Sequence, residues 1–242
     1  MQITVTYIHH NCFVMKTPDR TFLFDYPNDN HLPKGAKGLV RDAVAGSDLA
    51  VFISHGHDDH LNDDLALVTS AARSVRYVLS DDVEDMRPEA VPENGDVLIV
   101  EPDATYGFEG MTIETLMSND LGVAFMVVDG DFRFYYGGDL AKWIWESASP
   151  QEVAFTEKYF RESMEQVRDF APHVALSNVD KRLTNLAGGD EACRMIEAPL
   201  FVPMHTFGNL DWLEDFTERV GKTKSRLFIY AESGASESHD VG

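Results

Sequence analysis

Six consecutive residues, His55-Gly56-His57-Asp58-Asp59-His60, carry three imidazoles and two carboxylates, and they follow directly on an apolar run, Leu49-Ala50-Val51-Phe52-Ile53. The run is short and rich in β-branched and aromatic residues, the mark of a buried strand. A strand that stops at a His-x-His-x-Asp-His loop delivers several nitrogen and oxygen donors to one point. A divalent transition metal is what such a donor set holds. The whole chain has nine histidines, so three in one loop is a concentration that a solvated surface loop does not readily explain.

The rest of the composition limits what such a loop can serve. At 242 residues the chain can bury one sizeable core. It is 44% hydrophobic and 25% charged, with no apolar stretch long enough to span a bilayer. The start, Met1-Gln2-Ile3-Thr4-Val5-Thr6-Tyr7, alternates like a first strand and lacks the basic start and apolar core of a signal peptide. The expected location is therefore cytoplasmic. Cys12 and Cys193 form neither a disulfide framework nor a Cys-x-x-Cys pair. A net charge of −21 repels phosphate backbones and anionic membrane surfaces. The expected partner is a small-molecule substrate, with no membrane and with nucleic acid disfavoured; homo-oligomerisation stays open.

Hydrophobic patterning predicts strands over 2–7, 12–15 and 21–25, the last two joined by a Thr17-Pro18-Asp19-Arg20 turn. A polar loop runs over 27–38, with a short helix over 39–45. After the 49–53 strand come a helix over 62–70 capped by Asn62 or Asp63, a strand over 76–80 and a helix over 81–86. Strands over 96–101, 111–116, 122–128 and 132–136 follow, with Asp129-Gly130 as a hairpin turn. The remainder reads as a helix over 152–170, a strand over 174–177, a helix over 190–197, a strand over 200–204, a helix over 209–220 and a strand over 226–231. This order predicts an α/β (α+β) fold: two sheets with helices outside, a four-layer αββα sandwich. It is expected as one domain over 1–232, with 233–242, His239 included, as a flexible polar tail.

Three apolar strands each run into a candidate ligand: Ile53 into the histidine loop, Tyr136 into Asp139, and Met204 into His205. Together with Asp25 after the third strand, this order and spacing resembles the metallo-β-lactamase-fold metallo-hydrolases over most of the chain. Within that superfamily the His9-His10-Asn11-Cys12-Phe13 start and the Val202-Pro203-Met204-His205 step are most similar to the ascorbate-phosphate lactonase-like branch. The resemblance implies two divalent metal ions, zinc first and manganese or iron as alternatives. His55 and His57 would bind the first ion, Asp59, His60 and His205 the second, and Asp139 both. Asp25 would orient a ligand histidine or brace the metal loop. Asp59 and His57 are the implied catalytic residues, with Asp59 or a metal-bound water as the proton shuttle.

The first site lacks the further histidine that the family offers, because none lies between His60 and His173. Asp120 is the leading substitute, with His10 as a second candidate or as a supporting residue behind the ligands. With neither, single-metal occupancy follows. Lys181 and Arg182 are candidates for holding an anionic substrate group. Trp143 and Trp145 are candidate pocket walls, and His31 lies in a loop that could overhang the metals. The implied activity is hydrolysis of a lactone, ester, amide or phosphodiester by a metal-activated hydroxide. The alternatives are a catalytically degraded metal-binding or regulatory protein and, with this charge less expected, a nuclease of the same fold.

Overall fold

A computed structural model describes residues 1–93 and 95–241. The first sheet holds β1 (Gln2–His9), β2 (Cys12–Lys16), β3 (Thr21–Phe24), β4 (Asp48–Ile53), β5 (Ser74–Ser80) and β6 (Asp96–Val100). The second holds β7 (Thr105–Phe108), β8 (Met111–Met117), β9 (Val123–Asp129), β10 (Phe132–Tyr136), β11 (Val174–Asn178), β12 (Leu200–Met204) and β13 (Arg226–Leu227). A last strand, β14 (Ser236–Asp240), returns to the first sheet beside β1. Each sheet has an antiparallel part and a parallel part. β1, β2 and β3 pair antiparallel, then β3 to β6 run parallel. β7 to β10 pair antiparallel, then β10 to β13 run parallel.

Alternation along the strands dictates the layers. In β4, Ala50 and Phe52 join the core between the sheets, while Leu49, Val51 and Ile53 join a second cluster under the outer helices. A strand apolar on both faces is one buried on both faces. The inter-sheet core is aromatic: Phe22 meets Phe134 edge-on at 4.9 Å, Phe52 meets Phe125 at 5.2 Å, and Phe24 stacks on Tyr136 at 4.8 Å. The helices α1 (Ala36–Val44), α2 (Leu65–Thr69) and α3 (Asp81–Met86) bury Val40, Leu65, Val68 and Val83 against the first sheet. The helices α4 (Pro150–Phe170), α5 (Gly189–Ile196) and α6 (Leu213–Val220) bury Phe160, Cys193 and Phe216 over the second. The αββα sandwich is therefore observed. Among the described residues no helix is long and apolar enough to cross a membrane.

Several boundaries differ from the sequence reading. Of the tail expected over 233–242, the described residues 233–241 are not loose: β14 pairs with β1 from Gln2↔Asp240 to Thr6↔Ser236, with Thr4–Ser238 and Thr6–Ser236 hydroxyl contacts of 2.8 and 3.0 Å, and Gly242 lies outside the described residues. The exposed edge of β1 needs a partner, and buried His239 and Val241 supply the inward side chains that a polar composition hides. β7 was not foreseen, since Gly107 dilutes a four-residue edge strand. α4 starts two residues earlier than its apolar pattern because Ser149 and Glu152 form a capping box around Pro150. Asn62 does not cap α2; its carbonyl accepts the Asp64 N–H and its amide ties down Pro27 and Asp29. The strand expected over 226–231 is cut to β13, and the helix expected over 209–220 begins only at Leu213.

Candidate metal centre

Parallel strands of both sheets present their carboxyl ends at one rim. β3 leads into Asp25, β4 into the 55–60 loop, β10 into Asp139, β11 into Asp180 and β12 into His205. Crevices outside such strand ends are where α/β sheets bind ligands.

Asp139 sits at the middle of the cluster, 4% exposed. Its Oδ1 lies 3.4 Å from His60 Nε2 and 3.5 Å from His205 Nε2, and its Oδ2 lies 3.7 Å from His55 Nε2. These separations are long for hydrogen bonds. They are close to the ~3.4 Å between two donors that each stand ~2.1 Å from one tetrahedral cation. The Nε2 atoms of His10, His55 and His60 and the Nδ1 atom of His205 are buried with no hydrogen-bond partner among the described residues. Each such orphan costs about 1–3 kcal/mol when nothing binds it. Two groups of donor atoms lie within 4.8 Å of one another: His55, His60 and Asp139, and His10, His60 and His205. The donor chemistry, imidazole nitrogen and carboxylate oxygen, fits a divalent transition ion.

The ligand-facing nitrogens are set from behind. His60 Nδ1 donates to Asp25 Oδ2 at 2.5 Å. The Ser54 hydroxyl donates to the same oxygen at 2.8 Å, which leaves its lone pairs for His55 Nδ1 at 3.0 Å. His205 Nδ1 lies 3.2 Å from Asp180 Oδ2. With Nδ1 carrying the proton, His55 and His60 offer the Nε2 lone pair to the centre, and the Asp180 charge beside His205 Nδ1 favours the same tautomer there. Asp25, fully buried, also accepts Ser54 N–H at 2.8 Å and the Tyr136 hydroxyl. From outside, Asp82 accepts Gly56 N–H at 2.7 Å, and Arg87 pairs with Asp58 at 2.8 Å and with Asp63, pinning the histidine loop.

Burial opposes ionisation of Asp139, yet His60 and His205 hold its carboxyl well below the usual range. Burial likewise opposes ionisation of Asp59 and Asp180. His10 and His60 hold Asp59 low, and His205 and Arg182 hold Asp180 low. Burial, then His60, pushes His55 well below 6.5, so its ring is neutral at pH 7. Burial would lower His60 too, but Asp139, Asp25 and Asp59 raise it to about 9. Burial, then Asp25, drives the Tyr136 hydroxyl well above its usual range, so it remains a donor.

A cleft of about 320 Å³ opens over the cluster, walled by His57, Asp120, Trp143, Trp145, Arg182 and Phe207. Trp143 donates its indole N–H to the Asp139 carbonyl at 2.8 Å and stacks on Trp145 at 6.4 Å, so both tryptophans line the cleft. Arg182 stands 4.4 Å over the Phe207 ring and 5.5 Å over Trp145.

The structure brings His55, His60, Asp139 and His205 together, with Asp59 at the edge, its Oδ2 4.0 Å from His60 Nε2, and half-buried His57 in the cleft wall. His10 does not stand at the vacant first-site position; it groups with His60 and His205. Asp120 has an exposed side chain and joins neither donor group; partial desolvation at the cleft mouth, then the Asp139 charge, raises its carboxyl. Lys181 points away and pairs with Asp211 at 3.4 Å, because its neighbours Asp180 and Arg182 take the inward side of the turn. His31 is exposed, and its loop packs against the histidine loop through Asn28 N–H to the Asp58 carbonyl at 2.8 Å. Sequence reasoning missed Ser54, Tyr136 and Phe207. Asp180 was not among the candidates either, although an acid after the apolar β11 repeats the pattern of Asp25 and Asp139.

With this geometry in view, the comparisons are consistent. Residues 4–205 match the family described as Beta-lactamase superfamily domain. A curated metal-dependent hydrolase of Chloroflexus aurantiacus is 36% identical over 95 residues, 37% of this chain and 36% of that protein, so the match spans little more than a third of the relative's length. The fold is similar to that of Igni18, a metallo hydrolase from the archaeon Ignicoccus hospitalis, with a TM-score of 0.67, 15% identity and 99% of both chains covered. It is also similar to the metallo-β-lactamase fold protein YhfI of Bacillus subtilis, with a TM-score of 0.64, 16% identity, and 98% of this chain and 99% of that one covered.

Proposed function

The chain belongs to the β-lactamase superfamily of domains, and from that premise and the donor geometry we propose that it is a metal-dependent hydrolase of small molecules. The observation that carries this reading is the split of Asp139, one oxygen 3.4–3.5 Å from His60 and His205 and the other 3.7 Å from His55, longer than good hydrogen bonds and close to the spacing of donors that would share a cation. His55, His57 and Asp139 would hold a first ion, with Asp120 as the carboxylate on the His57 side of the cleft. Asp59, His60, His205 and Asp139 would hold a second. When bound, such ions supply Lewis acidity and a water of lowered pKa.

The chain's own residues do the rest. Asp25, Ser54 and Asp180 keep the ligand rings in one tautomer. Asp59, part exposed at the cleft edge, is placed to pass a proton to a leaving group. The tryptophans and Phe207 give the substrate a flat, apolar bed. Asp180 occupies the Nε–Nη2 side of the Arg182 guanidinium at 2.6–3.0 Å, and among the described residues no hydrogen bond reaches Nη1. That open edge suits an oxyanion on the substrate. The proposed substrates are therefore lactones, esters, amides or phosphodiesters that carry an anionic group. Zinc is the proposed ion, and the cytoplasm the proposed location.

The test combines elemental analysis of the purified protein with a hydrolysis panel of lactones and p-nitrophenyl esters and phosphodiesters. Bound metal is expected, with activity lost on chelation. His57→Ala and Asp139→Asn should lose activity and most metal while the fold remains. Undiminished hydrolysis by the chelated protein would overturn the proposal.

A further inference from the structure

Distance alone treats His10 as one more ligand. Its Nε2 is buried, lies 3.5 Å from Asp59 Oδ2, and shares the 4.8 Å neighbourhood of the His60 and His205 donor atoms. The other nitrogen of the ring argues otherwise. A neutral histidine bound to a metal gives the cation one lone pair and keeps its proton on the opposite nitrogen, which must then face an acceptor. His55 and His60 obey this, with Nδ1 hydrogen-bonded to Ser54 and Asp25, and the acceptor nearest His205 Nδ1 is the Asp180 carboxylate at 3.2 Å. His10 Nδ1 instead faces a donor, the backbone N–H of Phe207 at 3.3 Å. Its lone pair is committed there, so the proton of the neutral ring sits on Nε2. A doubly protonated ring would carry one on Nε2 as well. A metal bond at Nε2 would require an imidazolate or loss of the Phe207 bond.

The backbone holds this contact in place. His10, His205 and Phe207 are non-glycine residues with φ of 53°, 65° and 49°. Left-handed conformations of this kind cost roughly 1 kcal/mol or more each and persist only where the surroundings over-determine them. The Phe207 ring also packs on the His10 ring at 3.9 Å between centroids.

We propose that His10 is a positioning residue and not a ligand: Phe207 N–H fixes its tautomer and so places the Nε2–H beside Asp59 Oδ2, 3.5 Å away, where the positive end of the N–H steadies that carboxylate in the second site by charge rather than through a hydrogen bond. Phe207, with Arg182 above it, also ties the substrate wall to a metal-site carboxylate through a single ring. This inference rests on the metal reading above.

The test uses the full chain, labelled with nitrogen-15 at histidine and loaded with cadmium-113. Coupling to cadmium is expected at Nε2 of His55, His60 and His205, each with an Nδ1–H pattern. His10 should show no coupling and an Nε2–H pattern. Cadmium coupling at His10 Nε2 would overturn the proposal and leave the metal reading standing, whereas coupling at no histidine would sink both. His10→Ala should keep the metal stoichiometry and lose about 10-fold in cadmium affinity. His10→Gln, which can still offer an N–H to Asp59, should recover part of that loss. One fewer bound ion in His10→Ala would make His10 a ligand.

Discussion

Replacing Asp25 by Asn changes no volume and removes one charge behind the site, so its effect reads the hydrogen-bond logic almost alone. The native carboxylate accepts four donors: Ser54 N–H on Oδ1, and the Ser54 hydroxyl, His60 Nδ1–H and the Tyr136 hydroxyl on Oδ2. An asparagine can satisfy only one side. With its NH₂ at the Oδ1 position it faces Ser54 N–H, donor against donor in a fully buried place, at a cost of about 1–3 kcal/mol. With its NH₂ at the Oδ2 position, the two hydroxyls can turn and accept. His60 Nδ1 must then accept as well, which moves the ring proton to Nε2, the atom that should bind metal.

The second arrangement costs the metal-free protein less, so the damage should appear in metal affinity. Loss of such a supporting carboxylate costs 10–100-fold, which is about 1.4–2.7 kcal/mol. Competition for zinc against a chromophoric chelator at pH 7.5 measures it directly. Thermal unfolding of the metal-free protein reports the other arrangement, at about 2–4 °C per kcal/mol for a chain of this size. Affinity within threefold of the parent, together with an unchanged Tm, would refute the claim that Asp25 sets the His60 tautomer.

Two further outcomes follow from the same geometry. In the metal-free protein His60 is raised to about 9, above its ordinary 6.5. Its contribution to stability is therefore fully present below pH 6.5 and lost as pH rises through 9. Metal must displace this proton, so affinity should climb with pH by up to about 10-fold per unit and level off above pH 9. Calorimetry in buffers of different ionisation enthalpy should show about one proton or more released at pH 7, and no release would contradict the assignment. Gly122 has a φ of +66°, and a Cβ there would stand 2.0 Å from the Ser54 carbonyl and 2.6 Å from His55 Cβ. Gly130 has a φ of +60° and open space around it. Gly130→Ala should cost only the backbone strain, about 1–2 kcal/mol. Gly122→Ala should cost about 1–3 kcal/mol more from overpacking and should displace His55, so equal denaturant midpoints for the two variants would count against that packing.

What is legible in this chain is what is local. The 55–60 loop shows its ligands by spacing, and the β4 strand before it shows both of its buried faces by an unbroken apolar run. The same rule of an apolar strand running into a polar side chain picks out Asp25, Asp139 and His205, and with them the rim where both sheets end. Edge elements were harder. β14 is held by backbone pairing and two inward side chains, and β7 by a four-residue hairpin arm with a glycine in it; neither has a pattern strong enough to rise above a loop. Hardest of all are the roles that depend on what stands behind a residue. His10 and His60 are the same residue type, both buried and both aimed at one cluster. One meets a carboxylate at Nδ1 and so offers a lone pair to the centre. The other meets a backbone N–H at Nδ1 and so offers a proton. That N–H belongs to Phe207, near the far end of the chain, and every residue other than proline carries one. No arrangement of residue types could have announced it, and so the line between a ligand and the group that steers a ligand becomes visible only in the folded chain.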